Sequence, residues 1–217
     1  MMLNLFSVFD PSTGLLSLNW LSMLTFTLIP APFWKIPSKL LSLIIIIHTN
    51  IMKEVIMHTK SMKPSIIMIS MFSFTLMINV TGLLPYVFTA SAHLSVSLTI
   101  ALTMWISLMF FGWINYSNKM FTHLVPVGTP KPLMPFMVLI ESISNIIRPG
   151  SLAVRLTANM IAGHLLMSLL GNNLINNMTL MMMMMWLFTG LMIFELAVAF
   201  IQSYVFMTLS TLYSSEI

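Results

Sequence analysis

The 217-residue sequence contains no cysteine, which excludes disulfides and thiolate metal sites, and its five histidines are scattered without the spacing of a ligand set. Charge is almost as scarce. Asp, Glu, Lys and Arg make up 6% of the chain, against roughly 25% in a soluble domain. The opening "MMLNLFSVFD" has no basic n-region and no Arg/Ser-rich amphipathic pattern, so it reads as neither a secretory signal nor an organelle presequence. The expectation is a chain inserted directly into its own membrane. No nucleotide-binding loop is present, so no nucleotide chemistry and no cofactor are expected. The lysines lie in loops rather than in one patch, so nucleic acid is not an expected partner.

What the chain does have is apolar length. It is 58% hydrophobic with a mean hydropathy of +0.97, which puts it in the membrane class with the lipid bilayer as its solvent. A spanning helix needs about 20 mostly apolar residues. Five such runs are separated by proline, lysine or asparagine breaks: 15–34, 64–87, 93–115, 133–170 and 180–213. The segment 36–63 mixes Lys53, Glu54, Lys60 and Lys63 with spaced apolar residues and reads as an interfacial amphipathic helix. The expected fold is therefore all-α, a single polytopic membrane domain of about five membrane segments plus one interfacial helix. Lys35–Lys63 and Lys119–Lys131 fall on one side if the segments alternate, and the loop between the second and third spans is uncharged. The positive-inside rule then puts the N-terminus outside and the C-terminus inside.

The last two segments are too long. As helices they would extend roughly 50 to 57 Å, well beyond a hydrocarbon core of about 30 Å. They must form a strongly tilted, bent or broken hairpin, and Pro149–Gly150 offers a place to bend. These two segments also hold all the charge inside the spans: Glu141, Arg148 and Arg155 with His164 on one, Glu195 on the other. A charge at mid-bilayer costs at least about 2.5 to 3.5 kcal/mol, so such residues are kept for a task. At 100° per residue Glu141, Ser144, Asn145, Arg148, Arg155 and Asn159 form one polar stripe, while His164 turns to the opposite side. Glu195 and Gln202, seven apart, share a face. Small residues nearby (Ala153, Ala158, Ala162, Gly163; Gly190, Ala197, Ala199) permit close helix approach.

Each residue also has a plainer reading. Arg155 could be a structural arginine paired with Glu195. His164 could be a packing histidine, Glu141 a helix-start acid suited to the macrodipole, and Arg148 a cap for carbonyls freed by Pro149. The run Met181–Met185 reads as flexible apolar filling.

The strings "RPGSLAVRLTANMIAGHLLMSLL" and "FELAVAFIQSYVFMTLSTLY" closely resemble subunit a of the mitochondrial F-type ATP synthase, and "GLLPYVF" and "PVGTPKPLMPFMVLIESIS" agree with it in order. The resemblance is strong over the last 90 or so residues and weak over the first 60 or so. It implies a non-catalytic, proton-conducting stator subunit in the mitochondrial inner membrane. That subunit would provide two offset half-channels to a rotating ring of c subunits, with the peripheral stalk and other membrane-sector subunits as further partners. By position, Arg155 corresponds to the arginine that faces the ring, with Asn159 one turn on and Gln202 its polar partner on the last helix. His164 and Glu195 correspond to the half-channel from the intermembrane space, and Glu141, Ser144 and Asn145 to the one toward the matrix. No role for Arg148 follows from the resemblance. The chemistry suits these roles: guanidinium does not deprotonate, so it can act as a fixed barrier but not as a relay, whereas glutamate and histidine can titrate. Two rival readings are a membrane subunit of another proton-translocating respiratory complex, which would favour several buried mid-span lysines, and a purely structural anchor.

Overall fold

The computed structural model describes residues 5–14, 16–28, 36–59, 62–125, 130–175 and 178–216. Two 3₁₀ segments, Leu5–Phe9 and Leu18–Leu28, precede six α-helices: α1 (Lys39–Thr59), α2 (Met62–Gly82), α3 (Leu94–Asn115), α4 (Ser117–His123), α5 (Met134–Ile175) and α6 (Met178–Glu216). No strand occurs among the described residues. In lipid every backbone polar group must be satisfied within the protein, and a helix does this from its own residues. The hydroxyls on these helices follow the same logic. On α3, Ser97, Thr99, Thr103 and Ser107 each donate to the carbonyl three residues back, at 2.8–3.2 Å.

Five helical stretches are long and apolar enough to cross a membrane: Lys39–Thr59, Pro64–Gly82, Leu94–Asn115, Met134–Asn172 and Met182–Ser215. The chain is thus an all-α polytopic membrane protein. The number matches the sequence expectation, but the membership differs near the N-terminus. Within the expected first span the described residues form the 3₁₀ segment Leu18–Leu28, and positions 15 and 29–34 lie outside the described residues. The expected interfacial segment contains one continuous 21-residue helix, α1, because Leu40–Ile47 runs into the Lys53–Glu54 stretch without a break. Of its residues only Ile51 and Val55 are buried, and both pack in one cluster with Met68, Phe72, Met104 and Met207.

The two long helices are longer than the apolar runs indicated, 42 and 39 residues. Pro149 lies inside α5 without interrupting it, so of the expected ways to accommodate the length, breakage is ruled out. α5 packs against α3 and α6, and α6 packs in turn against α2 and α1. Ala153, fully buried, is the close-approach point, seated with Ala101, Leu152, Leu156 and Phe206. α5 and α6 run antiparallel, with Arg148 beside Tyr213 at one end and Gly163 beside Glu195 further along. The α2–α3 connection folds back under α5. Tyr86 takes a left-handed φ of 67° after Pro85, a conformation uncommon outside glycine, and the chain returns so that Thr89, Ala90, Ser91 and Ala92 are all buried.

Candidate functional site

The polar stripe of α5 is present, and its position is specific. Leu152, Ala153, Leu156, Thr157 and Met160 are buried against the bundle, while Ser151, Val154, Arg155 and Ala158 are exposed. Glu141, Ser144, Asn145, Arg148 and Asn159 are half-buried. The stripe therefore follows the edge where the packed face gives way to the open one. Arg155 sits on the open side and has no ion-pair partner among the described residues. The expected structural alternative, a pair with Glu195, is not found among them.

Two cavities border α5 among the described residues. The first, about 410 Å³, lies between α3, α4, α5 and the end of α6, and its lining includes Trp105, Met120, Glu141, Asn145, Arg148 and Tyr213. Glu141 and Arg148 form an ion pair at 3.9 Å across two turns of α5, and the Arg148 guanidinium stands 5.0 Å from the centre of the Tyr213 ring. The Trp105 indole N–H is buried and has no acceptor among the described residues. Pro149 has no N–H to offer the carbonyl of Asn145 four residues back, which leaves an extra backbone acceptor at the level of this cavity. Ser144 does not line it; its hydroxyl donates to the Glu141 carbonyl at 2.8 Å.

The second cavity, about 300 Å³, lies between α5 and α6 and is lined by Asn159, Gly163, Glu195 and Gln202 together with Leu83 at the end of α2. Glu195 is only 8% exposed, and neither carboxylate oxygen has a hydrogen-bond partner among the described residues. Its space comes from Gly163: a Cβ there would stand 2.8 Å from Glu195 Cδ and 2.9 Å from Oε1. His164 is not among the lining residues. As its helical angle predicts, it turns away, with its ring 6.2 Å edge-on to Phe9 and Nε2 buried without a partner among the described residues.

The structure thus brings Asn159, Glu195 and Gln202 together at one cavity, and Glu141 and Asn145 at another. Arg155 lies between them in sequence and lines neither. Sequence reasoning missed three contributors. Gly163 appeared only as one small residue among several, although its position beside His164 and a helical turn from Asn159 was a usable signal. Trp105 lies in an uncharged helix where an indole reads as apolar bulk. Tyr213, near the C-terminus, carried no signal that it would face Arg148.

The cavities lie at different levels along α5, toward opposite ends of the α2–α3 hairpin. The first borders α4, next to Lys119; the second reaches Leu83, at the uncharged α2–α3 connection. The family model described as ATP synthase A chain matches residues 12–215. Proteins named ATP synthase subunit a are similar over the whole of both chains: 54% identical in Locusta migratoria, 50% in Anopheles quadrimaculatus and 51% in Drosophila melanogaster. With a match over nearly its full length, this chain belongs to the ATP synthase subunit a family, the proton-translocating stator part of F-type ATP synthases.

Proposed function

We propose that this chain provides two offset half-channels to a rotating ring of c subunits, and that Arg155 keeps them apart. The observation that carries this reading is the pair of cavities at different levels along α5, toward opposite ends of the α2–α3 hairpin, one holding Glu141 and the other Glu195. On α5, Arg155 stands about 21 Å from the level of Glu141 and about 12 Å from that of Gly163, at 1.5 Å per residue. A proton enters from the intermembrane space by way of His164, Glu195, Asn159 and Gln202 and is handed to a ring carboxylate. After rotation it leaves toward the matrix by way of Glu141, Ser144 and Asn145. Arg155 cannot release its proton, so it blocks a direct hop between the two paths, and a ring carboxylate passes it only when ionised. Each charge crossing the full potential yields about 2.3 kcal/mol per 100 mV, and the offset routes that gain through rotation.

The charge pattern supports the orientation, with the N-terminus toward the intermembrane space and the C-terminus toward the matrix of a mitochondrial inner membrane. Were α1 to cross, Lys39 and Lys63 would lie on opposite sides; with α1 in the interface and the apolar run 15–34 of the sequence as the first of five spans, the lysines from Lys35 to Lys63 and from Lys119 to Lys131 all fall on the matrix side. The expected partners are the c ring, the peripheral stalk and the other membrane-sector subunits. The test is Arg155→Gln in the complete ATP synthase, with ATP synthesis and passive proton leak measured in vesicles. Synthesis is expected to be abolished and leak to rise. If both stayed at wild-type values the half-channel reading would fail, and so would the c-ring assignment if no proteolipid ring co-purified.

A further inference from the structure

We propose that Arg148 is a positioning residue for the matrix-side path, one that holds Glu141 in the first cavity while clasping the C-terminal end of α6 through Tyr213. This rests on the half-channel reading of Glu141. The geometry is that of a single guanidinium used on two sides: an ion pair to Glu141 at 3.9 Å and a ring face at 5.0 Å. Guanidinium is suited to this because it is planar, keeps its charge and stacks on aromatic rings while its N–H groups reach a carboxylate. Both groups are only partly exposed, at 27% and 34%, and both line the cavity, as does Tyr213.

The consequence follows from the helix pair. Glu141 lies two turns from Arg148 on the same helix, so their pairing alone would fix only a side-chain direction. Tyr213 belongs to α6 and makes the arrangement a link between helices. The last turns of α6 carry no acidic or basic residue at the C-terminal end that could do this instead, apart from Glu216. The cavity wall and the carboxylate inside it are thereby set by one residue, and the mouth keeps its shape while a neighbouring ring slides past.

The experiment uses the complete ATP synthase in vesicles, with ATP-driven proton flow measured per assembled complex. Arg148→Gln is expected to slow flow about threefold to tenfold, the range for losing a partly exposed ion pair and one cation–π contact. Arg148→Lys restores part of it by keeping the charge, Tyr213→Phe keeps the wild-type rate, and Tyr213→Leu falls toward Arg148→Gln. In a Glu141→Gln background, Arg148→Gln changes the residual flow by less than about twofold, because residues acting through one another are not additive. A merely structural arginine would instead cost the same in both backgrounds, and that result overturns the proposal. So does a Tyr213→Leu variant with wild-type flow, which also serves as the test should Arg148→Gln lower the amount of assembled complex. If Glu141→Gln alone left proton flow unchanged, the half-channel reading itself would be what failed.

Discussion

Gly163→Ala adds a single methyl group where the structure has no room for one. The new Cβ would lie 2.8 Å from Glu195 Cδ and 2.9 and 3.2 Å from its two carboxylate oxygens, whereas unstrained contacts to carbon lie at about 3.5–4.0 Å. The carboxylate has to retreat by roughly 1 Å. Because the obstructed group is the end of a flexible side chain, the helices need not separate. Overpacking of about 1–3 kcal/mol is partly offset by the gain of up to about 1 kcal/mol when a helical glycine becomes alanine. The complex should therefore assemble in near-normal amount. Its proton flow should not be normal. With Glu195 on the proposed proton path, displacing it by about 1 Å costs as much as about 100-fold in favourable geometries, and for a partly mobile carboxylate a loss on the order of tenfold is expected. The assay is ATP-driven acidification of vesicles, normalised to assembled complex on a native gel. Gly163→Val should be more severe. Wild-type pumping by both variants would refute the claim that Gly163 exists to seat Glu195.

Other outcomes follow from the packing and the exposed contacts. Ala153→Leu inserts three carbons at the fully buried meeting point of α3, α5 and α6; at about 1–3 kcal/mol or more it should lower the yield and thermal stability of the complex, read by native gel after graded heating. Phe206→Ala, 1% exposed in the same cluster, should cost about 3–5 kcal/mol and be worse in the same assay. Tyr204→Phe removes an exposed hydrogen bond to Glu54 of 3.2 Å and should leave both pumping and stability unchanged; a clear loss would give the α1–α6 contact a role it does not have here.

Much of this was legible from hydropathy because lipid leaves the backbone few options. An uncharged run such as 94–115 can hardly be anything but a helix. The stripe from Glu141 to Asn159 was legible for the same reason: against an apolar background six polar residues at helical spacing stand out. What was hidden depends on partners rather than pattern. The sequence of α1 is compatible with a helix that crosses or one that lies flat, and only its contacts with α2 and α6 and its charge balance bear on the choice. Arg148 looked like a cap for a kinked proline because Tyr213, 65 or so residues later, could be linked to it only through the antiparallel pairing of α5 and α6. The route through His164 and Glu195 comes from the resemblance; the helix angle turns His164 away from the α5 stripe, and Glu195, but not His164, lines the second cavity.

Arg155 raises a problem that the chain alone does not solve. An exposed guanidinium in the middle of an apolar helix costs at least about 2.5 kcal/mol in lipid, and no acid among the described residues offsets it. Its exposed neighbours on α5 are Ser151, Ala158 and Ala162, which are small, and Val154. Small residues let another helix backbone come close, and a close apolar helix excludes the water that would otherwise screen the charge. On the reading proposed above, the neighbour on that surface is a helix carrying one carboxylate at the depth of Arg155, held only while ionised. A permanent salt bridge would lock such a neighbour in place, so the carboxylate has to be able to leave by taking up a proton. On the same reading, the two cavities that border this edge, each with its own glutamate, exchange protons on either side of the arginine.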